Sequence, residues 1–181
     1  QEALAVKPAN DDARYDYVKL LTVEGDLGAA EQALAPALAQ IPLALRFEAL
    51  AQWIAAKRFA ATDERARWTE ADFQARIAAN KRDFDARFAR ARALFAMGEW
   101  TAAMDELLEI IMRDKAWSDQ APRKAYVAIL ELLSPPKPKA AATGDGKSAG
   151  GIEIAGKAVA EQDPQAQLVS QYRRKLSMAL N

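Results

Sequence analysis

Sliding the chain on itself by 73 residues superposes positions 12–34 on positions 85–107, and eight of those 23 positions are identical. The matched pairs are Asp12/Asp85, Ala13/Ala86, Arg14/Arg87, Leu21/Leu94, Gly25/Gly98, Ala29/Ala102, Ala30/Ala103 and Leu34/Leu107. Tyr15/Phe88, Lys19/Arg92 and Asp26/Glu99 match in kind. Self-similarity at a fixed spacing is the mark of stacked supersecondary units, each unable to bury its apolar face alone. Seventy-three residues is close to two units of about 34 to 39 residues, the size of a helical hairpin with its connections.

The unit is helical because of its alanines. The chain has 42 Ala among 181 residues, nearly half of its 51% apolar content. Alanine is the strongest helix former and lets neighbouring helices approach closely. Gly and Pro number 8 each, too few for a protein of strands and turns. The same composition removes whole classes of function. With 25 Lys+Arg against 25 Asp+Glu the net charge is zero, so no basic footprint exists for nucleic acid or a membrane surface. Without Cys there is no disulfide framework or thiolate chemistry, and without His the usual acid/base and metal ligand is missing. The expectation is a protein that is not an enzyme and carries no cofactor or metal. No run of eighteen apolar residues is present. The start, Gln1-Glu2-Ala3-Leu4, lacks both Met and a signal pattern and reads as the start of an excised fragment.

Local signals punctuate the helices. Asn10 with Asp11 and Asp12 opens a helix that Gly25 closes. A second runs from about Leu27 to Gln40, before Pro42, and a third from about 43 to 60 with Phe47, Leu50 and Ile54 at helical spacing. A polar connector spans 62–68. Thr69 with Asp72 predicts a capping box and a helix to about Asn80. Asp83 opens a helix ending at Gly98, Trp100 to Arg113 forms its partner, and Ser118 or Asp119 is expected to cap a helix to Leu133. Asp163-Pro164 marks the last helix, with proline where its missing N–H costs nothing. Residues 134–162, Pro-, Ala- and Gly-rich, read as a low-complexity insertion, with a brief alternation at Ile152-Glu153-Ile154.

The spacings fit the tetratricopeptide pattern of a large residue, Ala nine later, a large residue four later and Pro after eight more. Leu21, Ala30, Leu34 and Pro42 satisfy it, as do Leu94, Ala103 and Leu107 up to Lys115. Arg14 and Arg87 stand where the pattern has Trp, and Val18 and Ala91 where it has a packed Gly. The fold expected is all-α, a right-handed α-solenoid of about four degenerate tetratricopeptide-like helix pairs over 1–181, with the pair near 43–60 and 69–80 as the intervening unit. Gly98-Glu99-Trp100, Ala102-Ala103, the run Leu107 to Lys115, Ala121 with Arg123-Lys124, and Tyr172-Arg173-Arg174-Lys175-Leu176 resemble the C-terminal region of thioredoxin-like proteins with tetratricopeptide repeats, the chaperedoxins. The resemblance is closest over 80–134 and 163–181. Two departures are the 134–162 insertion and an ending in Asn181 rather than a bulky apolar residue. The resemblance implies a thioredoxin-like domain upstream of Gln1, with Gln1–Lys7 the tail of an earlier helix. It further implies a cytoplasmic co-chaperone that holds unfolded or oxidised client proteins and passes them to the chaperonin. Docking is then carried by the last helix, at Tyr172, Arg173, Arg174, Lys175, Leu176 and Leu180.

Two readings stay open for each candidate site. Tyr15 with Lys19, and Phe88 with Arg92, place an aromatic and a cation on one helix face, either as an inner groove for a peptide with apolar and acidic groups or as interhelical packing beside solvated charge. On the last helix, Tyr172 and Leu176 either grip the core or meet a partner, and the cations either sit favourably at a helix end or are the partner surface. Gly144-Asp145-Gly146-Lys147-Ser148 mimics the end of a phosphate loop, but residue 141 is Ala and no strand precedes it. Asp105, Glu106 and Glu109 cluster on one helix, with Glu109 spaced to pair with Arg113. Asn10, Asn80 and Asn181 are the only asparagines, so a clamp built from groove Asn residues has no basis. The alternative to a chaperone role is a scaffold or self-association module.

Overall fold

The computed structural model describes residues 10–134 and 163–181. The insertion at 135–162, the loop at 144–148 and Gln1–Lys7 lie outside the described residues. Among the described residues the fold is all-helical, with eight α-helices: α1 (Asp11–Glu24), α2 (Leu27–Leu38), α3 (Leu45–Thr62), α4 (Glu70–Ala79), α5 (Phe84–Met97), α6 (Trp100–Arg113), α7 (Trp117–Leu133) and α8 (Pro164–Leu180). A 3-10 turn, Glu64–Arg67, lies between α3 and α4. No described helix is long and apolar enough to cross a membrane.

The caps stand largely where the sequence puts them. The Asn10 side chain accepts from the Ala13 N–H (3.1 Å), and Asp83 accepts from Ala86 (3.0 Å). Thr69 and Asp72 form the reciprocal capping box. Gly25 (φ 86°) and Gly98 (φ 84°) end α1 and α5 in the left-handed conformation that glycine adopts without a Cβ penalty. The start of α7 is a correction. Neither Ser118 nor Asp119 caps it; Ser118, Asp119 and Gln120 have φ of 49°, 53° and 60°. The indole of Trp117 is held edge-on to Phe84 and Phe88, at 6.0 and 5.5 Å. The three left-handed residues turn the chain from that anchor into the regular helix, where Pro122 sits in the first turn.

The hairpins α1–α2 and α5–α6 close on alanine. Ala30 and Ala103 are fully buried at equivalent positions, and Leu34 and Leu107 are buried one turn on. The stack follows an α-solenoid. α3 packs on both α1 and α2, α5 lies against α3, α7 against α6, and α8 covers α6 and α7. Its core is continuous from Val18 and Leu34 through Phe47, Leu50 and Phe95 to Ile129 and Tyr172. α7 also lies along α3, where the buried small residues Ala49 and Ala128 leave the helices room to approach.

One unit departs from the expected pairing. α3 and α4 exist where the sequence puts them, but they do not pack side by side; α4 rests on α5, and the 3-10 turn packs on α3 and α5. The turn carries α4 away from α3, and Phe59, Phe73 and Ala89 form a small apolar cluster apart from the main core. Arg65 spans the turn, donating to both carboxylate oxygens of Asp63 at 2.9 and 2.7 Å. The Arg76 guanidinium stacks on Trp68 at 4.1 Å.

Candidate functional site

Asp163 caps α8 by accepting from the Gln165 N–H (3.0 Å), with Pro164 at the first helical position. Val169, Tyr172 and Leu176 then fall on one helix face and are buried. The Tyr126 hydroxyl donates to the Tyr172 carbonyl (2.8 Å), and the Tyr172 hydroxyl donates to Asp105 (3.2 Å). Lys175 Nζ reaches Asp105 (3.1 Å) and lies 4.1 Å from the centre of the Tyr172 ring. Burial works against the charged Lys175, but Asp105 outweighs it and raises its pKa. Burial, then the charge of Asp105, raises the Tyr172 hydroxyl. Lys115 donates to the Leu180 carbonyl (2.7 Å), and Leu180 is half-buried against the core. Tyr172 and Leu176 therefore grip the core. Arg173 and Arg174 are exposed; Arg173 donates to Ser134 Oγ (3.0 Å), and Arg174 has no partner among the described residues.

The two aromatic–cation pairs have different surroundings. Tyr15 packs on Phe47 (6.5 Å between ring centres), and burial followed by Glu131 raises its pKa. Lys19, one turn on, is exposed and has no partner among the described residues. Phe88 is held by Trp117. Arg92 stacks over Phe59 at 4.2 Å and donates to the Ala55 carbonyl (3.1 Å), and burial lowers its pKa. Phe88 and Arg92 are thus interhelical packing, and Lys19 alone of the four opens onto a cleft. The structure does not join the two pairs into one groove.

That cleft, of about 540 Å³, lies where α1, α3, α6, α7 and α8 converge. Lys19, Trp53, Trp100, Leu133, Pro164 and Leu168 form most of its wall. Trp53 stands edge-on to Trp100 (5.6 Å), which stands edge-on to Phe95 (5.7 Å). Lys57 Nζ lies 5.7 Å from the Trp53 ring centre. Trp53 is only 6% exposed, and its buried Nε1–H has no hydrogen-bond partner among the described residues. Gln165 Nε2 donates to the Leu133 carbonyl (2.6 Å), which ties α8 to α7 at the rim. Sequence reasoning missed Trp53 and Lys57. Trp53 sits amid the apolar run of α3, and nothing in its spacing separates a wall residue from a core one.

The carboxylates of α6 point to three separate tasks. Asp105 holds α8. Glu106, largely buried, accepts from Arg87 (2.9 Å) and from Arg90, and Arg90 also pairs with Glu70 (2.6 Å). Glu109 pairs with Arg113 one turn later, as its spacing predicts. Asn10 caps α1, and Asn80 Oδ1 accepts from the Arg82 N–H (2.9 Å), so both serve local turns.

No curated protein and no solved structure matches the chain. A family model described as tetratricopeptide repeat matches residues 63–143. The match takes in α4, the α5–α6 hairpin and α7, so this part of the chain is tetratricopeptide-repeat-like, a type of repeat that generally mediates protein–protein interaction.

Proposed function

We propose that the chain is a non-catalytic, polypeptide-binding repeat region of a thioredoxin-like co-chaperone of the cytoplasm, spanning 1–181 with an insertion at 134–162. It takes unfolded or oxidised clients and docks on the chaperonin through α8. The observation that carries this reading is the division of labour on α8. Tyr172 and Leu176 fix the helix to the core, while Arg173 and Arg174 stand exposed beside each other. A helix held from within and cationic outside offers a rigid surface to an acidic partner. The resemblance of the Tyr-Arg-Arg-Lys-Leu sequence supplies the identity of that partner. Charge reversal tests it better than deletion, because removing Tyr172 would damage the core. The double variant Arg173→Glu, Arg174→Glu is expected to keep its helical circular dichroism and to lose co-purification with the chaperonin. Retained chaperonin binding would falsify the docking assignment.

A second reading, self-association, has its own observation. Leu38, Ile41, Leu43 and Leu45, around the α2–α3 connection, are all exposed, and Ile41 almost completely so. Sedimentation across a hundredfold concentration range decides it, since a concentration-independent monomer removes the reading.

A further inference from the structure

We infer that the outer face of α1, at Asp16, Lys19, Leu20 and Val23, is the seat of an amphipathic helix from one more repeat unit, carried by the same polypeptide and ending in Gln1–Val6. The inference goes beyond the docking role of α8 and does not depend on it. Three observations carry it.

The first is the equivalent face of α5. Shifted by 73 residues, Asp16, Lys19, Leu20 and Val23 become Ala89, Arg92, Ala93 and Ala96. That face is already an interface, because α5 lies against α3. Ala89 and Ala93 pack with Phe59 of α3 and Phe73 of α4, and Ala96 is buried. Arg92 stacks over Phe59 and donates to the Ala55 carbonyl. On α1 the same four positions are exposed, Leu20 at 53% and Val23 at 61%. Their spacing of three and four residues makes them one stripe, the width of a single helix contact.

The second is the contrast between the two ends of the stack. The terminal unit of a solenoid turns a polar face to water. α8 does so with Ser170, Gln171, Arg173, Arg174 and Ser177. α1 instead carries Leu and Val where the internal helix α5 has the smaller Ala, so it offers more apolar surface for burial than α5 does. The third is the sequence before α1. The 73-residue match continues on the N-terminal side of Asn10/Asp83: Gln1/Gln74 and Ala5/Ala78 are identical, and Leu4/Ile77 and Val6/Ala79 match in kind. Residues 74–79 are the last of α4, the helix that precedes α5. Gln1–Val6 lie outside the described residues, and their sequence matches the end of such a preceding unit. The occupant of the α1 face is the counterpart of α3 in that unit, a helix that sets a large apolar residue, in the place of Phe59, against Leu20 and beneath the Lys19 ammonium.

The test uses the complete product of the reading frame with Leu20→Cys, Val23→Cys or, as an exposed control, Met97→Cys. Maleimide labelling is followed by mass spectrometry of the peptide that holds the new thiol; residues 1–181 have no cysteine of their own. In residues 1–181 alone the three positions are expected to react within about twofold of one another, and in the complete product positions 20 and 23 about tenfold more slowly than position 97. Trimming the product to about 40 residues before Gln1, one repeat unit, is expected to keep that protection. The inference is overturned by equal labelling in the complete product, or by a reading frame without room for a repeat unit before Gln1. Protection that the trimmed product loses overturns it as well, since a more distant domain is then the occupant. So does protection already present in residues 1–181, where recovery of labelling on dilution would identify a second copy as the occupant. Chaperonin co-purification of the Arg173→Glu, Arg174→Glu variant reads α8 alone, so failure of this interface and failure of the docking role give different results.

Discussion

The α1–α2 and α5–α6 hairpins share a backbone plan and differ in what braces it. Both open on an Asx cap, both close their first helix on a left-handed glycine, and both cross at a fully buried alanine. Arg14 and Arg87 are buried at equivalent positions. Arg87 meets Glu106 at 2.9 Å and Glu109 at 3.9 Å; 73 residues earlier those two positions are Ala33 and Pro36. Phe95 packs on Trp100, whereas the corresponding residues in the first hairpin are Thr22, whose hydroxyl donates to the Val18 carbonyl (2.7 Å), and Leu27. Leu20 and Val23 are exposed on α1, where α5 has Ala93 and Ala96 against its neighbours. Glycine and alanine set the shape of the hairpin. The side chains that join it to its surroundings are free to differ, because each hairpin meets different neighbours.

The largest effect expected from this contrast is at Glu106, which joins α6 to two arginines of α5 and, through Arg90, to Glu70 on α4. Glu106→Ala leaves Arg87 largely buried without its main partner and should cost about 3 kcal/mol in urea denaturation. A loss under about 1 kcal/mol would show that the network behaves as a surface pair, and the two hairpins would then be braced alike. Next come Ala30→Leu and Ala103→Leu. Each forces extra methylenes into a helix crossing and should cost about 2 kcal/mol, with the two values close to each other. A clear inequality would break the equivalence that the 73-residue repeat asserts.

The smallest effect lies between the hairpins, in the connector that carries α4 away from α3. The Arg65 side chain, helped by its backbone N–H, holds the Asp63 carboxyl down at about 2 against an ordinary 3.8. Glu70, through Gln74 and Arg90, and Asp72, through Thr69, are also lowered. A carboxylate lowered by folding contributes stability in full above its ordinary value and loses it as the pH falls through the folded one. The indole signal of Trp68 should therefore move between about pH 4 and pH 2 before the signals of Trp53 and Trp100 do. Simultaneous movement of all three would show that the connector has no stability of its own to lose.

Much of the fold is legible in the sequence because its signals are local. Gly25, Gly98, Asn10, Asp83, the Thr69–Asp72 box and Asp163-Pro164 act within four residues of themselves, and each is found in place. Ser118 and Asp119 fail as caps because the Trp117 ring, engaged by Phe84 and Phe88 some thirty residues away, controls that turn. The candidate site is legible only in part. The spacing of Tyr172 and Leu176 puts them on one face, but not whether that face turns inward. The recurrence of Tyr15/Phe88 and Lys19/Arg92 suggests one groove, yet α5 turns its pair into packing against α3 and α7.

By itself the sequence determined the helical hairpins, their ends and their alanine crossings, since helix propensity, capping and the 3.6-residue period act over a turn or two. Tertiary structure alone decided that α4 leaves α3, that α7 comes to lie along α3, and that Lys19, Trp53 and Leu168 meet around one cleft. Those outcomes depend on which helix faces meet across long stretches of chain. That is settled by the fit of side chains from distant segments, and no local period records it.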